Sequence, residues 1–151
     1  MLTLYNAISS DGFIADKTGN EDFIPDEAWS SFLGLCGDYK TLIIGRKTYE
    51  VIQAYDSELL VPFEALPIKK IVISSNPSFQ IKDGYLVTHS PEEALKIDPE
   101  ALVCSGPTLN NALLKKGFVK KVIFHEIPTK IENGITPFDV TYLSSVPIEK
   151  R

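Results

Sequence analysis

The chain has 151 residues, of which 44% are hydrophobic and 23% are charged, proportions typical of an ordinary globular protein. Its formal net charge of -5 at pH 7 argues against a general binder of nucleic acids or acidic membranes, because such proteins usually carry a basic face. We therefore expect one domain over residues 1–151, large enough to bury a core, with no nucleic-acid or membrane partner.

The first half of the chain alternates short apolar runs with helix-start signals. One such signal is Pro25-Asp26-Glu27, because acidic side chains stabilise the first turn of a helix. The predicted elements are a strand over Leu2–Ile8, a brief extended segment over Phe13–Ala15, a helix from this signal to Gly37, a strand over Thr41–Ile44 and a helix over Arg46–Ile52. The acidic stretch 54–67 shows neither pattern, and the sequence supports no assignment there.

The second half continues the alternation. Ser90-Pro91-Glu92-Glu93 is a strong helix start, with serine at the cap, proline next and acids in the first turn. The predicted elements are strands over Lys70–Ile73, Tyr85–Thr88, Ala101–Cys104, Lys121–Ile127 and Val140–Val146, with helices over Ser90–Ile97 and from Gly106 to Gly117. Strands that alternate with helices predict a single α/β domain with a mostly parallel central sheet flanked by helices.

The two cysteines, Cys36 and Cys104, lie in apolar stretches without CxxC spacing. This pattern favours reduced, buried thiols over a disulfide or a zinc site. The segment Met1–Asn6 lacks the basic start and long apolar run of a signal peptide, and no stretch is long enough to span a bilayer. We therefore expect a cytoplasmic protein, and the two histidines provide no metal-binding spacing.

Three predicted strands end in corners of similar character, namely Gly45-Arg46-Lys47-Thr48, Ser74-Ser75-Asn76 and Ser105-Gly106-Pro107-Thr108. In a parallel sheet the carboxyl ends of the strands share one edge, so the three corners should gather at one crevice. Cations, hydroxyls and the free amides of a helix start suit a nucleotide cofactor. The same residue types are common in helix caps and turns whatever the function, so a purely structural role for each corner stays open.

Most of the chain resembles the dihydrofolate reductase superfamily. The motifs that carry this resemblance are Leu4–Ala15, Ile43–Glu50, Ile71–Pro77, Ser105-Gly106 with its helix, and Val122–Pro128, in the family's order. The forms Asp-Gly-Phe-Ile-Ala and Gly-Arg-Lys-Thr-Tyr-Glu are closest to the branch that contains the reductase domain of bacterial riboflavin biosynthesis. The resemblance implies a dihydrofolate reductase-like fold, and its branch makes a homodimer plausible.

The same resemblance implies an NADPH-dependent reductase that transfers hydride to a pteridine- or pyrimidine-like heterocycle. One alternative is the 5-amino-6-(5-phosphoribosylamino)uracil reductase of riboflavin biosynthesis, and another is a non-catalytic nucleotide-binding module on the same fold. Against the first alternative, the Arg-rich segment that grips a phosphoribosyl group in that branch has no counterpart, because no arginine occurs between Gly19 and Lys40.

The resemblance also assigns cofactor contacts by position. It implies phosphate contacts for Gly45, Arg46, Lys47 and Thr48, proximity to the adenosine 2'-phosphate for Ser74, Ser75 and Asn76, pyrophosphate contacts for Ser105, Gly106, Pro107 and Thr108, and a nicotinamide lining for Ala7, Ile14 and Ala15. The family usually has Gly-Gly at the position of Ser105-Gly106, so we expect the serine to crowd the backbone approach there.

Three residues are candidates for proton transfer or substrate orientation. Asp26 and Glu27 lie close to the place where dihydrofolate reductases carry a helical carboxylate, although a gapless match through Phe32 puts Ala28 there. The alternative is that both acids stabilise the helix N-terminus. His125 falls where the family has a threonine, and it is either a proton donor or a histidine at a strand end with a backbone partner.

Overall fold

Nine strands organise the chain in a computed structural model, which describes residues 1–151. They are β1 (Leu2–Ser9), β2 (Ala15–Asp16), β3 (Thr41–Gly45), β4 (Lys69–Ile73), β5 (Leu86–Thr88), β6 (Leu102–Cys104), β7 (Val119–Ile127), β8 (Gly134–Ile135) and β9 (Ile148–Lys150). Seven of them form one sheet in the order β5-β4-β3-β6-β1-β7-β9, and every neighbouring pair in it is parallel. The predicted parallel sheet is therefore confirmed. The remaining two, β2 and β8, form a separate antiparallel pair.

The central strands are apolar because both faces of the sheet are covered. Leu42, Ile43 and Ile44 of β3 are each at most 1% exposed, although successive side chains point to opposite faces. Five α-helices follow the strands: α1 (Asp26–Cys36), α2 (Arg46–Gln53), α3 (Ser57–Glu64), α4 (Pro91–Ile97) and α5 (Pro107–Lys115). None is long and apolar enough to cross a bilayer, and the longest has 11 residues.

The helices divide the core into two layers. On one face of the sheet, α1, α2 and α3 bury side chains such as Phe32, Ile52 and Phe63. On the other face, α4 and α5 bury Ala94 and Leu113. The sheet thus lies between two helical layers, and the helices that follow strands of this sheet, α2, α4 and α5, begin at its carboxyl edge.

The stretch 54–67 contains α3, which local sequence did not predict. Phe63 of this helix is fully buried, and the Trp29 indole Nε1 donates a hydrogen bond to the Leu59 carbonyl at 2.9 Å. The Lys70 ammonium donates to the Leu66 carbonyl at 2.9 Å, just beyond the helix C-terminus. Tertiary packing therefore holds α3, while Pro62 inside the helix weakens its local signal.

The prediction of a final strand over Val140–Val146 is wrong. Residues Val140–Tyr142 form a short 3-10 helix because the Asp139 carboxylate accepts a hydrogen bond from the Thr141 amide at 2.9 Å. Val140 is 71% exposed, so the strand propensity of its β-branched side chain is not realised by packing in the sheet. The last strand is β9, which pairs with β7.

Phe63 and Val61 provide a test of what holds α3. Replacing the buried Phe63 by alanine should lower the free energy of unfolding by about 3–5 kcal/mol, because it removes a core aromatic ring and leaves a cavity. Replacing Val61, which is 61% exposed on the same helix, by alanine should change it by less than about 0.5 kcal/mol. Urea denaturation monitored by circular dichroism measures the free energy of unfolding of both variants. Equal losses of this free energy would show that α3 does not depend on the core.

Candidate functional site

Two helices begin side by side at the carboxyl edge of the sheet. The register pairs Ile44 of β3 with Cys104 of β6, so Gly45 and Ser105 follow at the same level. Gly45 is the N-cap of α2 and Gly106 is the N-cap of α5, and neither helix start has a side-chain cap. The first-turn amides of both helices therefore remain available, and they make this edge attractive to an anion.

Both glycines leave the approach to these amides open. A Cβ added at Gly106 would meet no atom within 4 Å, and one added at Gly45 would meet only the Leu109 side chain at 3.9 Å. Their φ angles of -80° and -86° are ones that any residue adopts, so the backbone does not require glycine at either position. The missing side chain serves access instead, which is the use of glycine where a ligand approaches the backbone.

The α2 corner carries two cations near its helix start. The Arg46 Nη1 donates a hydrogen bond to the Glu50 carboxylate at 2.6 Å, and both side chains are half-exposed. Such an exposed pair one helical turn apart contributes only about 0.3–0.5 kcal/mol, so Arg46 can exchange Glu50 for a phosphate. Lys47 is exposed and Thr48 is partly buried beside it.

The β4 corner is mainly structural. Ser74 is buried, its hydroxyl accepts a hydrogen bond from the Asn76 amide at 3.2 Å, and its carbonyl lies 2.8 Å from the His89 Nδ1. A carbonyl only accepts, so the Nδ1 of this histidine carries the proton. Asn76 closes the turn by accepting from the Ser78 amide at 2.9 Å, which leaves Ser75 as the exposed serine of this corner.

Ser105 does not crowd the backbone approach, contrary to the expectation from sequence. Ser105 is 4% exposed, and its hydroxyl points inward, where it donates a hydrogen bond to the Asn110 Oδ1 at 2.6 Å. The Ser105 carbonyl also points inward, where it accepts from the Asn6 Nδ2 at 2.9 Å. Pro107 and Thr108 then open α5, with Thr108 exposed.

The three residues predicted to line a nicotinamide lie on β1 and near β2. Ala7 is partly buried in β1 beside His125 of β7. Ile14 donates its amide to the Ile135 carbonyl at 2.8 Å, and Ala15 pairs with the same residue across β2 and β8. This short antiparallel pair therefore anchors the loop 17–25 that leads to α1.

The structure does not bring the candidate proton-transfer residues together. Asp26 and Glu27 are exposed in the first turn of α1 and make no side-chain hydrogen bond, which agrees with a role at the helix N-terminus. His125 is partly buried, and its Nδ1 lies 3.4 Å from the Tyr5 hydroxyl. It lines a cavity of about 290 Å³ together with Tyr5, Ser31, Leu35 and Arg151.

Glu21, in the loop before α1, is a titratable group that the sequence reasoning missed. Much of its surface is open to solvent, yet nearby protein atoms desolvate the carboxyl and raise its pKa. Burial raises the pKa of the Tyr55 hydroxyl to about 12, and the charge of Glu21 adds to this shift. Burial likewise raises the pKa of the Cys104 thiol, with further contributions from Cys36 and Glu21. The charge of Glu21 thus acts on the Tyr55 hydroxyl and the Cys104 thiol, which no local motif signals.

The electrostatic coupling between Glu21 and Cys104 can be tested by alkylation. Replacing Glu21 by glutamine removes a negative charge, so the pKa of Cys104 should fall and more thiolate should form at a given pH. We expect iodoacetamide to modify Cys104 faster in this variant than in the unmodified chain at the same pH, because a lower thiol pKa gives more of the reactive thiolate. Mass spectrometry of the Cys104 peptide measures the rate.

Asp22→Asn is the matched control, because it removes the same charge from the adjacent exposed residue. The charge of Asp22 does not contribute to the pKa shift of the Cys104 thiol or of the Cys36 thiol. Its alkylation rate should equal that of the unmodified chain. An equal increase in both variants would indicate loop opening rather than a charge effect.

Comparison with known proteins shows the fold. No family profile and no curated protein matches the chain. Among solved structures, it is similar to a riboflavin biosynthesis protein from Shewanella sp. PV-4, with 20% identity, a TM-score of 0.69, and coverage of 91% of this chain and 82% of that one. It is also similar to dihydrofolate reductase from Enterococcus faecalis, complexed with NADP(H) and RAB-propyl, with 22% identity, a TM-score of 0.68, and coverage of 91% and 76%.

A third similar structure is the diaminohydroxyphosphoribosylaminopyrimidine deaminase/5-amino-6-(5-phosphoribosylamino)uracil reductase from Thermotoga maritima. The match has 14% identity and a TM-score of 0.64, and it covers 91% of this chain and 47% of that one. The chain therefore spans about half the length of this two-activity protein. The three matches show that the chain has a dihydrofolate reductase-like fold, as the sequence motifs implied.

Proposed function

We propose that the chain, which has a dihydrofolate reductase-like fold, is an NADPH-dependent reductase that transfers hydride to a pteridine- or pyrimidine-like heterocycle. The observation that carries this proposal is the pair of uncapped helix starts at Gly45 and Gly106, side by side at one sheet edge. The Enterococcus faecalis structure with this fold is complexed with NADP(H), which agrees with the proposal.

The residues at this edge fit a dinucleotide. The amides that follow Gly45 and Gly106 would hold the phosphates, and the open space at Gly106 admits a close approach. Arg46 and Lys47 supply positive charge for the additional 2'-phosphate, which favours NADP over NAD, with the exposed Ser75 as a further contact. When bound, the nicotinamide supplies the hydride.

The chain's own residues then have to orient the substrate and provide a proton. Hydride transfer depends chiefly on alignment, so a strongly perturbed acid-base pair is not required. His125, which interacts with the Tyr5 hydroxyl, is the proposed proton source. The exposed Asp26 and Glu27 are assigned to stabilising the start of α1.

Two other functions have specific support. The Shewanella and Thermotoga structures carry riboflavin-related names, which favours the reductase of that pathway as the second candidate. The exposed position of both α1 acids favours a nucleotide-binding module without catalysis. NADPH oxidation in the presence of dihydropterins, pyrimidines or the phosphoribosylaminouracil distinguishes these three candidate functions.

We also propose that the chain forms a homodimer, which light scattering can check.

Cofactor binding predicts a selective thermal shift. A ligand that binds only the native state stabilises it by about 2.7 kcal/mol at a hundred times its Kd. We expect saturating NADPH to raise the Tm by several degrees and NADH to raise it less at the same concentration. Differential scanning fluorimetry measures this, and a Tm unchanged by saturating NADPH would contradict the proposal.

Substitutions at Arg46 and at Glu50 should change the affinity for NADPH in opposite directions. Arg46→Ala should weaken NADPH binding roughly tenfold, because a charge-assisted hydrogen bond is lost, and should affect NADH less. Glu50→Gln removes the competing carboxylate and should strengthen NADPH binding. Lys69→Ala, an exposed cation at the opposite end of β4, is the control and should change neither Kd. Equal losses for NADPH and NADH in Arg46→Ala would exclude a 2'-phosphate contact.

A further inference from the structure

We infer that Asn110 is a positioning residue that, together with Asn6 and Ser105, holds the Gly106 amide outward for a phosphate of the dinucleotide. This inference rests on the proposed function, because it concerns the same sheet edge. Asn110 itself touches no ligand in this arrangement. It acts through the backbone of the β6 to α5 corner, from a position inside the core.

The three side chains form a buried polar cluster. Asn110 of α5 is 0% exposed, Ser105 is 4% exposed and Asn6 of β1 is 6% exposed. Burying amides and hydroxyls in an apolar core is costly unless they are hydrogen-bonded. A cluster of this kind therefore has to be nearly complete, and its members have to keep one arrangement.

The hydrogen bonds of Asn110 determine its orientation. Its Nδ2 lies 3.1 Å from the Asn6 Oδ1, 3.2 Å from the Ser105 carbonyl and 2.9 Å from the Pro137 carbonyl, and all three groups are acceptors. Its Oδ1 accepts the Ser105 hydroxyl at 2.6 Å. If the Asn110 side-chain nitrogen and oxygen were exchanged, the oxygen would face three other hydrogen-bond acceptors. Only one orientation of the Asn110 amide therefore satisfies the cluster.

The Ser105 carbonyl is the group through which the cluster acts. It receives hydrogen bonds from both amides, from the Asn6 Nδ2 at 2.9 Å and from the Asn110 Nδ2 at 3.2 Å. The peptide bond between Ser105 and Gly106 is trans, so its carbonyl and its N–H point in opposite directions. Holding the carbonyl inward therefore directs the Gly106 N–H away from the core.

The Gly106 amide is free to bind a ligand in this direction. It makes no hydrogen bond within the protein, and the space where a Gly106 side chain would lie is open. It precedes the first-turn amides of α5, whose N1 position is proline and has no N–H. The Gly106 amide thus replaces the donor that Pro107 lacks at this helix start.

The cluster also braces the corner against a third segment. The Pro137 carbonyl that accepts from Asn110 lies between β8 and the 3-10 helix, and the next residue, Phe138, is buried against Phe124 of β7 with ring centroids 5.8 Å apart. Asn110 therefore joins β1, the β6 corner and this segment. Removing it should loosen the corner without altering the cations near α2.

The test compares two ligands that differ in whether they reach the Gly106 corner. NADPH contains the pyrophosphate, whereas adenosine 2'-monophosphate presents only the phosphate assigned to Arg46. We expect Asn110→Ala to raise the Kd of NADPH about tenfold, the loss of roughly one hydrogen bond to a charged group, with the Kd of adenosine 2'-monophosphate unchanged. Calorimetry well below the Tm of each variant measures both constants.

Two further variants keep the outcome decisive. Asn111→Ala is the matched control, because this neighbouring asparagine accepts from the Asp139 amide at 2.7 Å and does not contact the corner. Its NADPH affinity should match that of the unmodified chain. If Asn110→Ala fails to fold, Ser105→Ala removes only the hydroxyl bond and should raise the NADPH Kd about threefold. Parallel losses for both ligands, or unchanged NADPH affinity in Ser105→Ala, would overturn the inference.

Inorganic pyrophosphate separates this inference from the proposed function. If the unmodified chain does not bind NADPH, the proposed function fails, but pyrophosphate should still shift the Gly106 amide resonance in an NMR titration. Asn110→Ala should abolish that shift and Asn111→Ala should preserve it. A Gly106 resonance that does not respond to pyrophosphate in the unmodified chain would contradict the positioning role itself.

Discussion

The parallel pairing of β3 with β6 is the constraint on which the candidate site depends. Each strand is short and largely buried, and each leads within two residues to a helix with glycine at its N-cap, so neighbouring strands place neighbouring helix starts at one edge. Side chains alternate between the two faces along a strand, and a shift of one residue in β6 would move Ser105 to the wrong side. Register thus decides both the packing of the core and the alignment of the amides.

The buried hydrogen bonds behind this edge and the exposed ion pair on its surface differ in strength. The buried amides of Asn6 and Asn110 accept a single arrangement, because an unpaired polar group in the core costs more than one hydrogen bond gains. The exposed pair of Arg46 with Glu50 is weak and can be exchanged. The backbone of the site is therefore rigid, while the charged side chains around it remain adaptable.

Sequence predicted the elements whose signals are local. The apolar run Thr41–Ile44 and the cap Ser90-Pro91 identified a strand and a helix, and family motifs identified the fold. The α3 helix escaped prediction because it depends on the burial of Phe63. The inward orientation of the Ser105 carbonyl escaped because its partner Asn6 is 99 residues away. The coupling of Glu21 to Cys104 likewise exists only after the chain has folded.

The position of β6 between β1 and β3 has a consequence for how the chain folds. Its pairing with β1 joins Leu4 to Val103 and Tyr5 to Cys104, so about two thirds of the chain separates the partners. Contacts over such separations form slowly, because the entropy of closing the loop is lost before the contact compensates for it. The strand that completes the centre of the sheet also carries the Gly106 corner. Any partly folded chain with β6 still outside the sheet lacks the ligand-binding edge, so affinity for a phosphate ligand would report the insertion of β6.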